Sequence, residues 1–171
     1  MSGNEKEPLP DPVVSNSSPL IALATLGRLD LLKLLFDQII IPRAVYEEVV
    51  VYGEGEPGSR EVAEAEWIQT RQLKDRLAVS LLQETLDAGE SEAIILAQEL
   101  NARYLLMDDA MARRKARFIG LHPIGTFGIL LIAKEAGLLR AVRPVLDELR
   151  QTDFRMSDRV YQDVVGKAGE E

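Results

Sequence analysis

Short apolar runs alternate along this chain with helix-patterned segments, and that alternation constrains the fold more than any other feature. Val13-Val14-Ser15, Gln38-Ile39-Ile40-Ile41, Trp67-Ile68-Gln69-Thr70, Tyr104-Leu105-Leu106-Met107 and Leu121-His122-Pro123-Ile124 read as strands, the third of them at an edge. Ser18-Pro19 opens the first helix, because a hydroxyl can accept an orphan amide hydrogen and proline has no amide to lose. That helix runs toward Leu26, with Gly27 as its stop. Leu29 to Phe36 predicts a short apolar helix, Arg43 to Tyr52 a longer one, and Gly53 to Gly58 a loop before a short helix near Glu61 to Glu66. Further helices are expected over Leu73 to Leu86, from a capping box at Asp87-Ala88-Gly89-Glu90 to about Asn101, and over Asp109 to Phe118. Thr126 to Ala136, Ala141 to Gln151 and Ser157 to Gly166 complete the series. Such alternation implies parallel β-α units with right-handed crossovers. The expected fold class is therefore α/β: a three-layer α/β/α sandwich around a central, mainly parallel sheet.

With 171 residues, 46% of them apolar, the chain is long enough for one well-filled core. The expected organisation is a loose tail over 1–11, one domain over 12–150 and a C-terminal helical extension over 151–171. The first twelve residues are polar, carry three prolines and lack the apolar segment a signal peptide needs. The most apolar stretch, Ile129 to Ala133, is far below the ~20 residues that span a bilayer. A cytoplasmic protein with no membrane contact is expected. The formal charge of −8 opposes strong non-specific binding to nucleic acid, so any such binding must be local or metal-assisted. There is no cysteine and only one histidine, His122, which excludes disulfides and thiolate zinc sites and argues against zinc altogether.

Polar residues collect where strands end. Asn16 follows the first strand and Asp108-Asp109 the fourth, and strand C-termini are where open α/β sheets bind ligands. One aspartate of the pair suffices as a helix N-cap. Two adjacent anions repel unless a cation or donors offset them, and magnesium or manganese takes oxygen ligands of this kind. At 100° per residue, Val45, Val49 and Tyr52 share a helix face with Glu48 on its edge, while Glu47 points away. Glu48 is thus directed inward for a ligand, or snorkels, or pairs with an arginine. Glu92 borders the apolar arc of Ala93, Leu96, Ala97 and Leu100, whereas Glu90 is accounted for by the capping box, which ranks Glu92 first. Arg113, Arg114, Lys115 and Arg117 form the one dense basic run, either a solvated face or a set of phosphate contacts.

Val13 to Ile21, Ile41 to Val49, Gly89 to Ile94 and Leu105 to Asp109, in that order, resemble the motifs of the PIN domain family. They are most similar to the bacterial and archaeal branch whose first motif reads Asp-Thr-Ser-Pro-Leu-Ile. The resemblance covers about residues 12 to 150. It implies an α/β/α sandwich acting as a Mg2+- or Mn2+-dependent ribonuclease on single-stranded RNA. It also implies the toxin role of a toxin–antitoxin pair, a homodimer, and a small antitoxin protein whose tail enters the groove. The family's four acids fall on Asn16, Glu48, Glu92 and Asp109. Asp108 becomes an auxiliary ligand able to restore a missing charge, and Ser17 and Ser18 match hydroxyl positions beside the first acid. Glu48, Glu92 and Asp109 are the expected catalytic residues, joined by Asn16 and Asp108 as metal ligands; Ser17, Ser18, Arg113, Arg114, Lys115 and Arg117 are expected on RNA. The departure is Asn16, whose amide brings an oxygen but no charge, which weakens metal affinity and water activation. Met107 likewise stands where the wider family often has a hydroxyl. A PIN-like module that binds RNA or protein without cleaving is therefore the alternative. A phosphorelay receiver is disfavoured, since Leu121 to Thr126 contains no lysine.

Overall fold

The computed structural model describes residues 11–171. The expected tail lies outside them except for Asp11. Five strands, β1 (Val13–Ser15), β2 (Ile39–Pro42), β3 (Ile68–Arg71), β4 (Tyr104–Leu106) and β5 (Pro123–Ile124), form one sheet in the order β3-β2-β1-β4-β5. Every pairing is parallel, with Val14 opposite both Ile40 and Leu105. All strand C-termini therefore share one edge.

Side-chain alternation with a period of two splits the core. Val13, Ile39, Ile41 and Leu106 face one layer; Val14, Ile40 and Leu105 face the other. Helices α1 (Ser17–Thr25) and α2 (Asp30–Phe36) cover the first face. They are joined there by α3 (Arg43–Tyr46), α4 (Ser59–Glu64), α8 (Thr126–Glu135), α9 (Arg143–Arg150) and α10 (Asp158–Lys167). Against the second lie α5 (Arg76–Leu82), α6 (Ala88–Glu99) and α7 (Ala110–Phe118). The chain builds outward from β1 to β3 with its helices on one face, then returns beside β1 as β4 with helices on the other. A change of direction demands a change of face if crossovers keep one hand. The sandwich and the parallel sheet are as expected, and β3 does form an edge.

Two expected helices differ. Arg43 to Tyr52 is not one α-helix: after α3 the segment Glu47–Val51 is a π-turn, closed by Tyr52 N–H donating to Glu47 O at 2.8 Å. The helix expected over Leu73 to Leu86 is confined to Arg76–Leu82. Leu73 and Leu86 are nevertheless buried, so their apolar spacing records core contacts made from non-helical backbone. In the C-terminal segment, Tyr161, Val164 and Val165 of α10 enter the same cluster as α1 and α8. No helix among the described residues is long and apolar enough to cross a membrane.

Candidate functional site

Strand order reverses between β1 and β4, and the crevice outside their carboxyl ends is the place where open α/β sheets accept ligands. Asn16 stands there. Its N–H donates to Leu106 O at 2.9 Å, which pins the end of β1 to the end of β4. Although it occupies the N-cap of α1, its side chain makes no capping bond. The residue is 6% exposed and its Oδ1 has no hydrogen-bond partner. Buried polar atoms rarely stay unpaired, so this oxygen is available to an incoming partner.

The two serines that follow orient acids. Ser17 Oγ donates to Glu48 Oε2 at 2.8 Å, and Ser18 Oγ to Asp108 Oδ2 at 2.9 Å. The expectation for Glu48 needs correction in one respect. As a residue it is exposed, while Glu47 is half-buried and bound to Arg43 Nε at 3.0 Å. The π-turn changes the angle per residue, so positions placed at 100° steps do not describe this segment. Glu48 nonetheless turns Oε2 into the crevice. A Cβ built on Gly89 would lie 3.1 Å from that oxygen, 3.2 Å from Asn16 Oδ1 and 3.6 Å from Asp87 Oδ1. Glycine at the start of α6 thus leaves a hollow ringed by oxygens from three elements.

Asp87 caps α6, accepting from Glu90 N–H at 2.7 Å. Burial, and then the charges of Asp87 and Asp109, push the Glu90 carboxyl up to about 7. Glu90 therefore has a place beside Asp109 that its capping role alone did not suggest. Glu92, 8% exposed, is held from both sides: Ala44 N–H donates to Oε1 at 3.2 Å, and Arg76 Nη2 lies 3.4 Å from Oε2. Asp109 is the member of the aspartate pair that caps α7, accepting from Ala112 N–H at 2.8 Å through Oδ1. Asp108 accepts from Ser18, from Thr126 N–H at 2.7 Å and from Thr126 Oγ1 at 2.7 Å. Three short bonds make it a clamp joining the ends of β1, β4 and β5 rather than a carboxylate turned out toward a ligand.

In the basic run, Arg113 Nη1 would meet a Cβ on Gly125 at 2.8 Å, at a point 3.1 Å from Asp108 Oδ1, and its Nε is buried without a partner. Arg114 and Arg117 are exposed. Lys115 turns to the other flank of α7 and donates to Thr85 Oγ1 at 2.5 Å. Reading the sequence missed Thr126, Gly89 and Arg76. A glycine inside a helix's first turn, and a threonine just after Gly125 at a helix start, were the available signals; Arg76 offered none.

Among the described residues, no three Asp, Glu or His side chains are gathered closely enough to hold a metal ion. The donor chemistry still suits a hard divalent cation. It consists of an orphaned amide oxygen, an adjacent carboxylate oxygen, a cradle a Cβ would fill, and a Glu90 carboxyl whose proton affinity is raised by burial and by the charges of Asp87 and Asp109. A family model described as DUF3368, PIN domain, matches residues 12–170. The chain belongs to the PIN domain family. No curated protein matches it significantly. PIN domains have a nuclease-type fold and generally depend on divalent metal. The match runs on through α10.

Proposed function

We propose that this PIN domain is a divalent-metal-dependent ribonuclease acting on single-stranded RNA. The observation that carries the proposal is the unpartnered, buried Asn16 Oδ1 facing Glu48 Oε2 across the Gly89 hollow, at the sheet's point of reversal. Asn16 and Glu48 would hold Mg2+ or Mn2+; Glu92 and Asp109, not drawn together with them as the described residues stand, would complete the set on cation binding. A bound cation supplies Lewis acidity and neutralises phosphate charge. Ser17 keeps Glu48 aimed into the crevice, and Ser18 and Thr126 fix Asp108, which sets the backbone from which Asp109 projects. Arg113, in the opening turn of α7, sets positive charge beside the crevice, and Arg114 and Arg117, exposed further along that helix, would meet an RNA backbone without any reading of sequence.

A second reading is favoured by the same Asn16 and by the lack of a three-acid group among the described residues: a PIN module that binds RNA through this crevice without cutting it. Incubation of the pure protein with single-stranded RNA and Mn2+ separates the two. Cleavage abolished by EDTA and reduced at least ~100-fold in Asp109→Asn supports the nuclease. Undiminished cleavage by Asp109→Asn refutes the assignment of that residue, and RNA binding without cleavage establishes the second reading.

A further inference from the structure

Arg76 is the one cation paired with an acid of the candidate site among the described residues, and its circumstances are unlike those of an ordinary surface ion pair. The Glu92 side chain is 10% exposed, whereas that of Arg76 is 62% exposed. The carboxylate is therefore fixed and the guanidinium is free to leave. Glu92 is fixed because Ala44 N–H, at the start of α3, holds Oε1. The root of Arg76 is fixed too: Asp75 caps α5 by accepting from Ala78 N–H at 3.0 Å. Glu99, two turns beyond Glu92 on α6, binds the amides of Lys74 and Asp75 at 2.7 to 3.3 Å. Only the long side chain of Arg76 can swing, about an anchored backbone, and its contact at 3.4 Å is long for a charge-assisted bond.

The geometry points to Arg76 as an exchangeable counter-ion: it holds the Glu92 carboxylate until a backbone phosphate of RNA draws it off, leaving Glu92 open to a divalent cation. This rests on the nuclease reading above. A guanidinium and a divalent cation compete for one carboxylate oxygen because both are positive. A phosphate with two available oxygens is the better partner for a planar fork of donors. Moving Arg76 to phosphate removes that competition. RNA then tightens cation binding, and by linkage the cation tightens RNA binding to the same degree. Loading of the site would in this way be coupled to arrival of substrate.

Calorimetric titration of Mn2+ into wild type, Arg76→Gln, Glu92→Gln and the double variant tests the idea, repeated with saturating oligodeoxythymidylate as a phosphate backbone. Without the oligonucleotide, Arg76→Gln should bind Mn2+ about fivefold more tightly than wild type at low salt. The difference should shrink as salt rises and vanish in the Glu92→Gln background. With the oligonucleotide, wild type should gain affinity and Arg76→Gln should not. Equal Mn2+ affinity in wild type and Arg76→Gln, or an equal gain from the oligonucleotide in both, overturns the exchange while leaving the nuclease reading in place. Absence of Mn2+ binding in every variant overturns both.

Discussion

Gly89 lets two oxygens of different chain segments close in on one point of its backbone. Alanine there would sit 3.1 Å from Glu48 Oε2 and 3.2 Å from Asn16 Oδ1, tight contacts with polar atoms of the crevice. In the helix itself alanine is the better residue, by up to about 1 kcal/mol. Gly89→Ala should therefore leave the thermal midpoint unchanged or slightly raised, while Mn2+-dependent cleavage falls at least ~10-fold. A parallel loss of stability and activity would show that the hollow is structural. Individual acids were legible in the sequence to differing degrees. Glu92 stood out because a carboxylate beside an apolar arc must find a partner, and it has found Ala44 N–H and Arg76. Asp108 was less so: its role as clamp depends on Thr126, eighteen residues downstream, and no local pattern connects them. The orphaned state of Asn16 Oδ1 is a statement about three-dimensional surroundings that a linear reading cannot contain.

At the level of elements, the π-turn over Glu47–Val51 decides where Glu48 points. An α-helical wheel correctly buried Val45 and Val49, but it placed Glu47 and Glu48 the wrong way round with respect to solvent. Side-chain type alone gives no warning of an i to i+5 bond, so this error was built into the periodicity argument. Gly53 ends the segment at close quarters: a Cβ there would fall 2.5 Å from Val49 O and 3.0 Å from Glu48 O, both backbone atoms that cannot move independently. Gly53→Ala should force the turn to shift, lowering stability by about 1 to 3 kcal/mol and displacing Glu48. Thermal unfolding and the cleavage assay would both register it; an unchanged midpoint would mean the turn adapts freely. Strand positions and helix starts were read well because apolar runs and caps are local. Helix lengths near Leu73 and Leu86 were not, since buried leucines keep helical spacing after the backbone has left the helix.

Across the whole molecule, the C-terminal segment is fastened to the first core layer by the apolar face of α10 and, at its end, by one carboxylate. Burial opposes ionisation of Glu170, but hydrogen bonds from Val142 N–H, Lys134 and Arg143 N–H outweigh it and hold its pKa at about 2, below the ordinary 4.5. A depressed carboxylate stabilises the fold fully above its unfolded pKa and stops doing so as pH falls from about 4.5 toward 2. Glu170→Gln should therefore cost about 1 to 2 kcal/mol at pH 7 and make unfolding less sensitive to acid across that window. Chemical denaturation at several pH values gives the comparison, and identical profiles for the two proteins would remove Glu170 from the account. The sandwich fixes which strand ends meet, and the meeting of β1 and β4 is what turns scattered oxygens into one crevice. Anomalous diffraction from a crystal soaked in Mn2+ tests that most directly. The expected result is a manganese peak at the Gly89 hollow, against Asn16 Oδ1 and Glu48 Oε2; a crystal saturated with Mn2+ that shows no peak there, or shows one only elsewhere, would contradict it.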